Sequence, residues 1–247
     1  MKTDPSPSAG VTYSPQLAHA REYERWLGGH SLSGAAMRWW LGSPGTFLAN
    51  TALFRLPEEL HLTEDWRVVD VGCGRGSLLR MLDKRLNFID PPVGIDASTH
   101  AIQLAATDNG ARDTTRPPLH LVQGTGTALP LRTASAELVI CGHLVKNLDD
   151  QELGALLHEL GRVLVSGGLA LIWDFAPTGN RWLDRWNTWF LSRGVGQPRL
   201  RSTSSLLHAA RLAGFDFRID AQLRPFLLPP IPRASILIGK QPDSPIN

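Results

Sequence analysis

The feature that most constrains this chain is a glycine-rich segment between a predicted strand and a predicted helix, Asp70-Val71-Gly72-Cys73-Gly74-Arg75-Gly76. Glycines are favoured where a backbone turns tightly or approaches a ligand closely. Their spacing is Gly-x-Gly-x-Gly, whereas a dinucleotide fingerprint requires its third glycine at position 77, which is Ser77. The segment therefore predicts a nucleotide-like ligand that lacks a pyrophosphate.

A second carboxylate follows at the end of the next predicted strand, where Asp96 closes the run Val93-Gly94-Ile95-Asp96. A carboxylate in this position can accept hydrogen bonds from both hydroxyls of a ribose. Asp70, at the head of the glycine loop, would repel a pyrophosphate but can organise an amino group or the loop itself. Two carboxylates around one pocket favour a ligand that carries positive charge.

Short apolar runs alternate with helical stretches after Trp66, which is the pattern of a parallel sheet with helices on both faces. We predict an α/β fold with a doubly wound, seven-stranded, mostly parallel sheet, an N-terminal helical cap and an insertion after the fifth strand. The predicted strands are 67–71, 92–96, 119–123, 138–142, 169–175, 215–223 and 234–240, and the predicted core helices are 77–85, 99–109 and 150–164.

The chain is predicted to be a single domain, residues 13–247, behind a flexible leader of residues 1–12 that is rich in Pro and Ser. Within the domain we expect a helical cap at 13–62, a cofactor-binding core at 63–178, a helical insertion at 179–200 and the end of the sheet at 201–247. The helix that begins near Asp150 has an N-cap in Asp149, and Gly167-Gly168 is expected to stop it.

Composition excludes several classes of protein. A net charge of +2 gives no general electrostatic reason to expect nucleic acid as the partner. Two cysteines cannot form a disulfide scaffold, and no apolar run approaches the roughly 18 residues that span a bilayer. We expect a cytoplasmic protein with no transmembrane segment and no metal.

Five ordered pieces of the chain together resemble the class I S-adenosylmethionine-dependent methyltransferases, in particular the small-molecule branch that includes quinone-biosynthesis methyltransferases. The pieces are Val68 to Gly76, Gly94 to Asp96, Gly124 to Leu131, Leu138 to Leu148, and Arg162 to Gly168. The resemblance implies the cofactor S-adenosyl-L-methionine, with S-adenosyl-L-homocysteine as its product. It also implies a small-molecule acceptor.

The same resemblance implies which residues bind the cofactor. Gly72 and Gly74 would lie against its methionine part, Asp96 would bind its ribose, and Gly124 to Gly126 would flank its adenine. Where the family usually has Gly-Asp-Ala, this chain has Thr125, whose hydroxyl accepts a hydrogen bond more weakly than a carboxylate does. The full set of expected cofactor-binding residues is Asp70, Gly72, Cys73, Gly74, Asp96, Ala97, Gly124, Thr125, Gly126 and Gly142.

Methyl transfer from a sulfonium needs mainly alignment and the exclusion of water, so the candidate catalytic groups are few. His143, at the carboxyl end of the fourth strand, is the best-placed general base, and its alternative role is to shape the pocket. Lys146 and Asn147 stand where relatives often have further histidines. Asp174, at the end of the fifth strand, is expected either at the rim of the acceptor pocket or as a buried structural acid.

Tryptophan is concentrated outside the predicted sheet: Trp39 and Trp40 fall in the cap, and Trp182, Trp186 and Trp189 fall in the insertion. The spacing in the insertion puts its three indoles on one helical face. We expect Trp39, Trp40, Trp182 and Trp186 to line the pocket of an apolar acceptor. Packing of the cap onto the core and a peripheral contact with a membrane surface remain open as alternatives.

The predicted function is therefore the S-adenosylmethionine-dependent methylation of a small, largely apolar or aromatic acceptor. Three alternatives remain: a cyclase or isomerase of methyltransferase fold that uses the cofactor structurally, a nucleic-acid methyltransferase, and a cofactor-binding protein without activity. The sequence leaves the acceptor and the oligomeric state open.

Overall fold

The computed structural model describes residues 56–110, 117–195, 197–215, 217–219 and 233–240. The predicted leader, most of the predicted cap and the predicted strand residues 220–223 lie outside these ranges. The helices of the described ranges are α1 (Leu56–Glu59), α2 (Ser77–Leu86), α3 (Thr99–Gly110), α4 (Asp150–Val163), α5 (Arg181–Val195) and α6 (Thr203–Leu212). The strands are β1 (Val68–Val71), β2 (Val93–Asp96), β3 (His120–Gln123), β4 (Ala136–Gly142), β5 (Leu164–Phe175), β6 (Phe217–Ile219) and β7 (Arg233–Gly239).

The strands of the described ranges form one sheet in the order β3-β2-β1-β4-β5-β7-β6. Strands β1 to β5 run parallel, and β7 is antiparallel to both of its neighbours. The first strand, β1, lies in the middle of the sheet. Strands β2 and β3 follow on one side of it, and β4 and the later strands lie on its other side. This is the doubly wound α/β arrangement that the sequence predicted, with the strand order reversing between β1 and β4.

Both faces of the central strands are buried, so these strands are almost uninterrupted apolar runs rather than alternating ones. Neighbouring residues of β4 point into different clusters: Val139 packs with helices α4 and α6, and Ile140 packs with helices α1 and α2. The same alternation occurs in β5, where Ile172 belongs to the first cluster and Trp173 to the second. The sheet thus separates two hydrophobic cores.

Helix α4 has the predicted bounds to within one residue, but the predicted glycine pair does not end it. The Asp149 carboxylate accepts a hydrogen bond from the Glu152 amide at 2.8 Å, and the Glu152 carboxylate accepts one from the Asp149 amide at 3.1 Å. The expected glycine stop is wrong, because the helix ends at Val163 and Gly167 and Gly168 lie within β5. Leu164 already has extended backbone and pairs with Ala136, so strand pairing ends the helix earlier.

Insertion helix α5 is the next element after β5 and lies within the predicted insertion, 179–200. Its first turn is tied to the end of the strand, because the Asp184 carboxylate accepts hydrogen bonds from the amide and the hydroxyl of Thr178, both at 2.6 Å. Among the described residues, no helix is long and apolar enough to cross a membrane.

Candidate active site

The glycine loop lies at the carboxyl end of β1, beside the point where the strand order reverses. In open α/β sheets this is where a crevice forms and ligands bind, because the loops on its two sides diverge. The ends of β2, β4 and β5 reach the same edge of the sheet, which carries Asp96, His143 and Asp174. Residues far apart in the chain are therefore brought to one edge.

Asp96 lies at the carboxyl edge of the sheet and holds the glycine loop in place by a hydrogen bond. One carboxylate oxygen accepts a hydrogen bond from the Gly74 amide at 2.8 Å, and the other accepts one from the Ser98 amide at 2.9 Å. Gly72 and Gly74 have φ angles of 81° and 53°, which a side chain would strain. The loop geometry therefore requires glycine at both positions and a carboxylate at position 96.

Asp70 is a buried acid with a strongly altered pKa. The side chain belongs to β1 and the residue is 4% exposed. Burial, with a further contribution from the negative charge of Asp96, raises the pKa of Asp70 to about 7. The pair of carboxylates is thus a site that a cation would stabilise.

The remaining predicted cofactor residues flank the same edge. The Gly124 amide donates to the Asp96 carbonyl at 3.0 Å. This hydrogen bond joins the segment that begins at Gly124 to the end of β2. The Thr125 and Thr127 hydroxyls are hydrogen-bonded to each other at 3.2 Å. Ala97 follows β2, Gly126 is buried, and a side chain on Gly142 would meet no atom within 4 Å. Open space therefore lies beside Gly142 at the end of β4, whereas a side chain on Gly124 or Gly126 would meet Pro130 or Leu156 at 3.0 Å.

The two cysteines are buried free thiols, one in the glycine loop (Cys73) and one in β4 (Cys141). Burial, with the negative charge of Asp70 second, raises the pKa of both thiols. Neither thiol is suited to act as a nucleophile, because the thiolate is the reactive form.

His143 directly follows β4 and has a left-handed backbone, with φ of 58°. Its amide donates to the Trp173 carbonyl at 2.7 Å, so pairing with β5 continues through this position. The imidazole lies against the Phe175 ring, with centroids 4.9 Å apart, and its Nδ1 is 3.8 Å from an Asp174 oxygen. A left-handed histidine at a strand end indicates that the surrounding structure enforces this conformation.

Asp174 is 1% exposed and remains ionised because it has cationic and amide neighbours. Burial alone would raise its pKa, but the charge of Lys146, the nearby His143 and the hydrogen bond from the Lys146 amide together hold the pKa of Asp174 below its usual value. The Lys146 amide donates to this carboxylate at 2.8 Å, and the Lys146 Nζ lies 3.8 Å from it. Asp174 is therefore a buried acid rather than an exposed rim residue.

Lys146 is the main site residue whose place the sequence analysis did not predict. Its Nζ donates to the His143 carbonyl and lies 5.8 Å from the centre of the Phe175 ring. Its side chain is 11% exposed. Lys146 and Asp174 are 28 positions apart, and only the pairing of β4 with β5 brings them together.

A second residue without a sequence signal, Arg201, holds the segment after β4 in place. Its guanidinium donates to the carbonyls of Val145 and Leu148 at 2.6 and 2.8 Å and to the carboxylate of Asp150 at 2.7 Å. Arg201 is 8% exposed and follows helix α5 in the chain. It therefore links the segment after α5 to the segment that carries His143 and Lys146.

A cavity of about 280 Å³ opens between the segment after β4, helix α5 and residues 197–199. Its lining is polar and carries both basic and acidic groups: Lys146, Asn147, Asp149, Thr188, Gln197, Pro198 and Arg199. The cavity connects the Lys146 region with the inner side of α5.

The tryptophans of α5 share one face of the helix, as predicted, and that face is exposed. Trp182, Trp186 and Trp189 are 83%, 47% and 50% exposed. Trp39 and Trp40 lie outside the described residues. The contribution of these tryptophans to an acceptor pocket stays a prediction.

Comparison with known proteins finds a family that resembles the central segment. The model of the family described as methyltransferase domain matches residues 68–168, about two fifths of the chain. Residues 68–168 are thus similar to the methyltransferase-domain family. This segment begins with β1, contains the glycine loop, Asp96 and His143, and ends within β5.

Among curated relatives, the 2-phytyl-1,4-naphtoquinone methyltransferase of Thermosynechococcus vestitus is 28% identical over 136 residues, which are 55% of this chain and 58% of the relative. The chain spans between one half and three fifths of the length of the curated relatives it matches. The resemblance to quinone methyltransferases is thus confirmed over about half of the chain.

Solved structures show the same fold. The S-adenosylmethionine-dependent methyltransferase SibL aligns with a TM-score of 0.68 and 16% identity, covering 94% of this chain and 71% of SibL. A methyltransferase of Thermotoga maritima, titled a possible histamine N-methyltransferase, aligns with a TM-score of 0.59 and 18% identity, covering 90% of this chain and 99% of that protein. At these identities the alignments establish the fold of the domain and nothing about its acceptor.

Proposed function

We propose that this protein transfers a methyl group from S-adenosylmethionine to a small aromatic or largely apolar acceptor and releases S-adenosylhomocysteine. The observation that carries the proposal is the family match over residues 68–168, which contains the glycine loop and the paired carboxylates Asp70 and Asp96. A cationic nucleoside is the ligand that this combination suits.

The residues at the carboxyl edge fit such a cofactor. Gly72, Gly74 and Gly76 leave the loop backbone open to close approach by a ligand. The Asp96 carboxylate is held in place by two amides while further lone pairs can accept from ribose hydroxyls. Asp70 would favour the positive charge of the methionine part. The Thr125 hydroxyl would accept a hydrogen bond from the adenine amino group, and the open space beside Gly142 leaves room for the sulfonium end.

When bound, S-adenosylmethionine supplies an electrophilic methyl group on a sulfonium, which transfer turns into a neutral thioether. The chain has to orient the acceptor, exclude water and remove a proton from the acceptor. His143 would accept that proton at Nε2, because its Nδ1 faces Asp174. The ionised Asp174 would stabilise the imidazolium that forms, and Lys146 balances the carboxylate while the imidazole is neutral.

Two observations favour an aromatic acceptor. The curated relatives are named as methyltransferases of a naphthoquinone that carries a phytyl chain, a flat ring with a long apolar substituent. In this chain the Phe175 ring lies beside His143 and offers a flat apolar surface next to the candidate base. We therefore propose a hydroxylated aromatic ring as the part of the acceptor that is methylated.

Calorimetric titration of the full chain with S-adenosylmethionine and S-adenosylhomocysteine tests the cofactor. Both should bind, and Asp96→Asn should weaken both by roughly tenfold or more, because it removes a charged acceptor. The exposed Asp90→Asn is the matched control and should leave binding unchanged. Failure of the wild-type protein to bind either compound would overturn the proposal.

The reaction itself is tested by incubating the enzyme and S-adenosylmethionine with a panel of naphthols and hydroquinones and measuring product mass. A gain of one methylene unit on the acceptor identifies methyl transfer. An unchanged acceptor mass with altered retention would instead identify a rearrangement. Cofactor binding without turnover of any panel member would identify a binding protein, and either result would contradict the proposed activity.

A further inference from the structure

Helix α5 is amphipathic in the opposite sense to an ordinary surface helix. Its most exposed residues include three tryptophans, whereas Asn187 is fully buried and Asp184 is half-buried. At about 100° per residue, Trp182, Trp186 and Trp189 fall within an arc of about 60°, and Asn187 lies about 140° from Trp182. The helix therefore directs its aromatic stripe outward.

The first turn of α5 is held by hydrogen bonds to the residues that precede it. Asp184 is hydrogen-bonded to Thr178, the Thr188 hydroxyl donates to the Asp184 carbonyl at 2.8 Å, and the Asn180 side chain accepts from the Trp182 amide at 3.0 Å. Asn187, about 140° from Trp182 around the helix, is fully buried, so that side of α5 packs against the protein and the tryptophans lie on the other side. Contiguous exposed aromatic residues of this kind mark interaction surfaces.

Basic side chains accompany the stripe. Arg181 and Arg185 are exposed and form no ion pair within the described ranges. Arg185 follows Trp182 by three residues and precedes Trp189 by four, so it flanks the stripe, and Arg181 lies one turn before Arg185 on the same side. Indole rings are favoured at the boundary between lipid headgroups and acyl chains, and arginines bind anionic headgroups. The partner whose chemistry matches both groups is a bilayer surface that contains anionic lipid.

We infer that the exposed face of α5, made of Trp182, Trp186 and Trp189 with Arg181 and Arg185, docks the protein onto anionic lipid bilayers. The helix would lie in the plane of the interface with its indoles inserted among the headgroups. This inference goes beyond the proposed methyl transfer and does not depend on it.

One consequence does rest on the proposed function. Helix α5 begins shortly after Phe175, so the lipid-binding face borders the edge of the sheet where the acceptor would bind. An acceptor with a long apolar chain dissolves in the bilayer and would reach the site from that side. Lipid binding can be measured without cofactor or acceptor, so failure of one proposal is distinguishable from failure of the other.

The test is sedimentation of the full chain with sucrose-loaded vesicles, either of phosphatidylcholine alone or of phosphatidylcholine mixed with phosphatidylglycerol. The protein should sediment with the mixed vesicles, its tryptophan emission should shift to the blue, and added salt should weaken binding. Trp182→Ala/Trp186→Ala and Arg181→Glu/Arg185→Glu should each weaken the partition by roughly tenfold or more.

Matched controls come from exposed residues elsewhere on the protein. Ile89→Ala/Leu212→Ala removes two exposed apolar side chains, and Arg132→Glu/Arg211→Glu makes the same change of net charge as the arginine pair on α5. Both should bind mixed vesicles like the wild-type protein, and circular dichroism should show that all four variants fold.

Three results would overturn the inference. The first is a wild-type protein that does not sediment with mixed vesicles, and the second is an equal loss of binding in the control variants. The third is a wild-type protein that runs as a dimer on gel filtration and becomes monomeric in Trp182→Ala/Trp186→Ala, because the face would then bind a second copy of the chain.

Discussion

At the scale of single residues, the site holds two buried acids whose pKa values are displaced in opposite directions. Asp70 has few groups that stabilise its charge, so burial dominates and its pKa rises to about 7. Asp174 is equally buried, but Lys146 and His143 outweigh burial and hold its pKa below the usual value. Whether a buried acid at this edge is neutral or ionised is therefore set by its immediate neighbours.

The raised pKa of Asp70 predicts a loss of stability with rising pH. Between about pH 4 and pH 7 the folded state holds a proton that the unfolded state has released, so the free energy of unfolding falls across that window. Asp70→Asn cannot ionise and should be more stable than the wild-type protein by about 2–4 kcal/mol at pH 8, with the difference shrinking toward pH 4. Urea unfolding at several pH values measures this. The exposed Asp90→Asn should show no such trend, and equal pH profiles for Asp70→Asn and wild type would contradict the prediction.

His143 combines a strained backbone with a candidate catalytic imidazole. His143→Gly and His143→Ala lose the same ring contacts, but only glycine relieves the left-handed φ of 58°. The glycine variant should therefore be more stable than the alanine variant by about 1 kcal/mol in urea unfolding. Both variants should lose methyl transfer by roughly 10²- to 10⁴-fold if the imidazole is the base. Equal stability of the two variants would show that the backbone is unstrained there.

At the scale of elements, the segment after β4 is shaped by a residue that follows helix α5. Arg201 satisfies the carbonyls of Val145 and Leu148 from a buried position, and the Arg199 amide donates to the Lys146 carbonyl at 2.7 Å. Two stretches distant in the chain thus pack as one unit around Lys146. The positions of His143 and Lys146 therefore depend on Arg201 and the segment around it, which contribute no group to the proposed reaction.

Removal of the Arg201 guanidinium should loosen this unit. Arg201→Met leaves two buried carbonyls without their donor and should lower the free energy of unfolding by about 2–4 kcal/mol. Faster hydrogen exchange of the His143 and Lys146 amides should accompany the loss. Asp150→Asn is the matched control, because Asp150 is 92% exposed and exposed ion pairs contribute little. If Asp150→Asn lowered the free energy of unfolding as much as Arg201→Met, the ion pair rather than the hydrogen bonds to the carbonyls would be the stabilising contact.

At the scale of the whole molecule, one sheet supports two hydrophobic cores. Leu156 of α4 belongs to one cluster and Leu79 of α2 to the other, and both are fully buried. Because every central strand contributes residues to both faces, loss of either core removes support from the other. The described part of the domain is expected to unfold as a single cooperative unit.

Leu156→Ala and Leu79→Ala test this cooperativity. Each should lower the free energy of unfolding by about 2–5 kcal/mol, and each should shift one common transition. Far-ultraviolet circular dichroism and tryptophan fluorescence should give coincident curves for both variants. Two separated transitions in either variant would show that the two faces unfold independently.

Much of the fold was predictable because local patterns and tertiary structure agree. The apolar run of β4 and the capping box at Asp149 and Glu152 are both visible in the chain, and the structure contains them. The glycine stop after α4 was wrong because pairing of Leu164 with Ala136 competes with the helix, and pairing partners are invisible to a local pattern. The same limit applies to the three tryptophans of α5: spacing places them on one face but cannot say whether that face is covered.

By itself, the sequence determined the strand–glycine loop–helix unit, the acid at the end of β2 and the alternation that builds a doubly wound sheet. These depend on backbone geometry and on periodicity, which are properties of neighbouring residues. Tertiary structure alone decided that Asp174 pairs with Lys146, that Arg201 is buried and that the α5 indoles face outward. Each of these depends on burial and on contacts between residues distant in the chain. The local sequence around a charged residue or a tryptophan is the same whether its side chain is buried or exposed, so the sequence cannot distinguish the two.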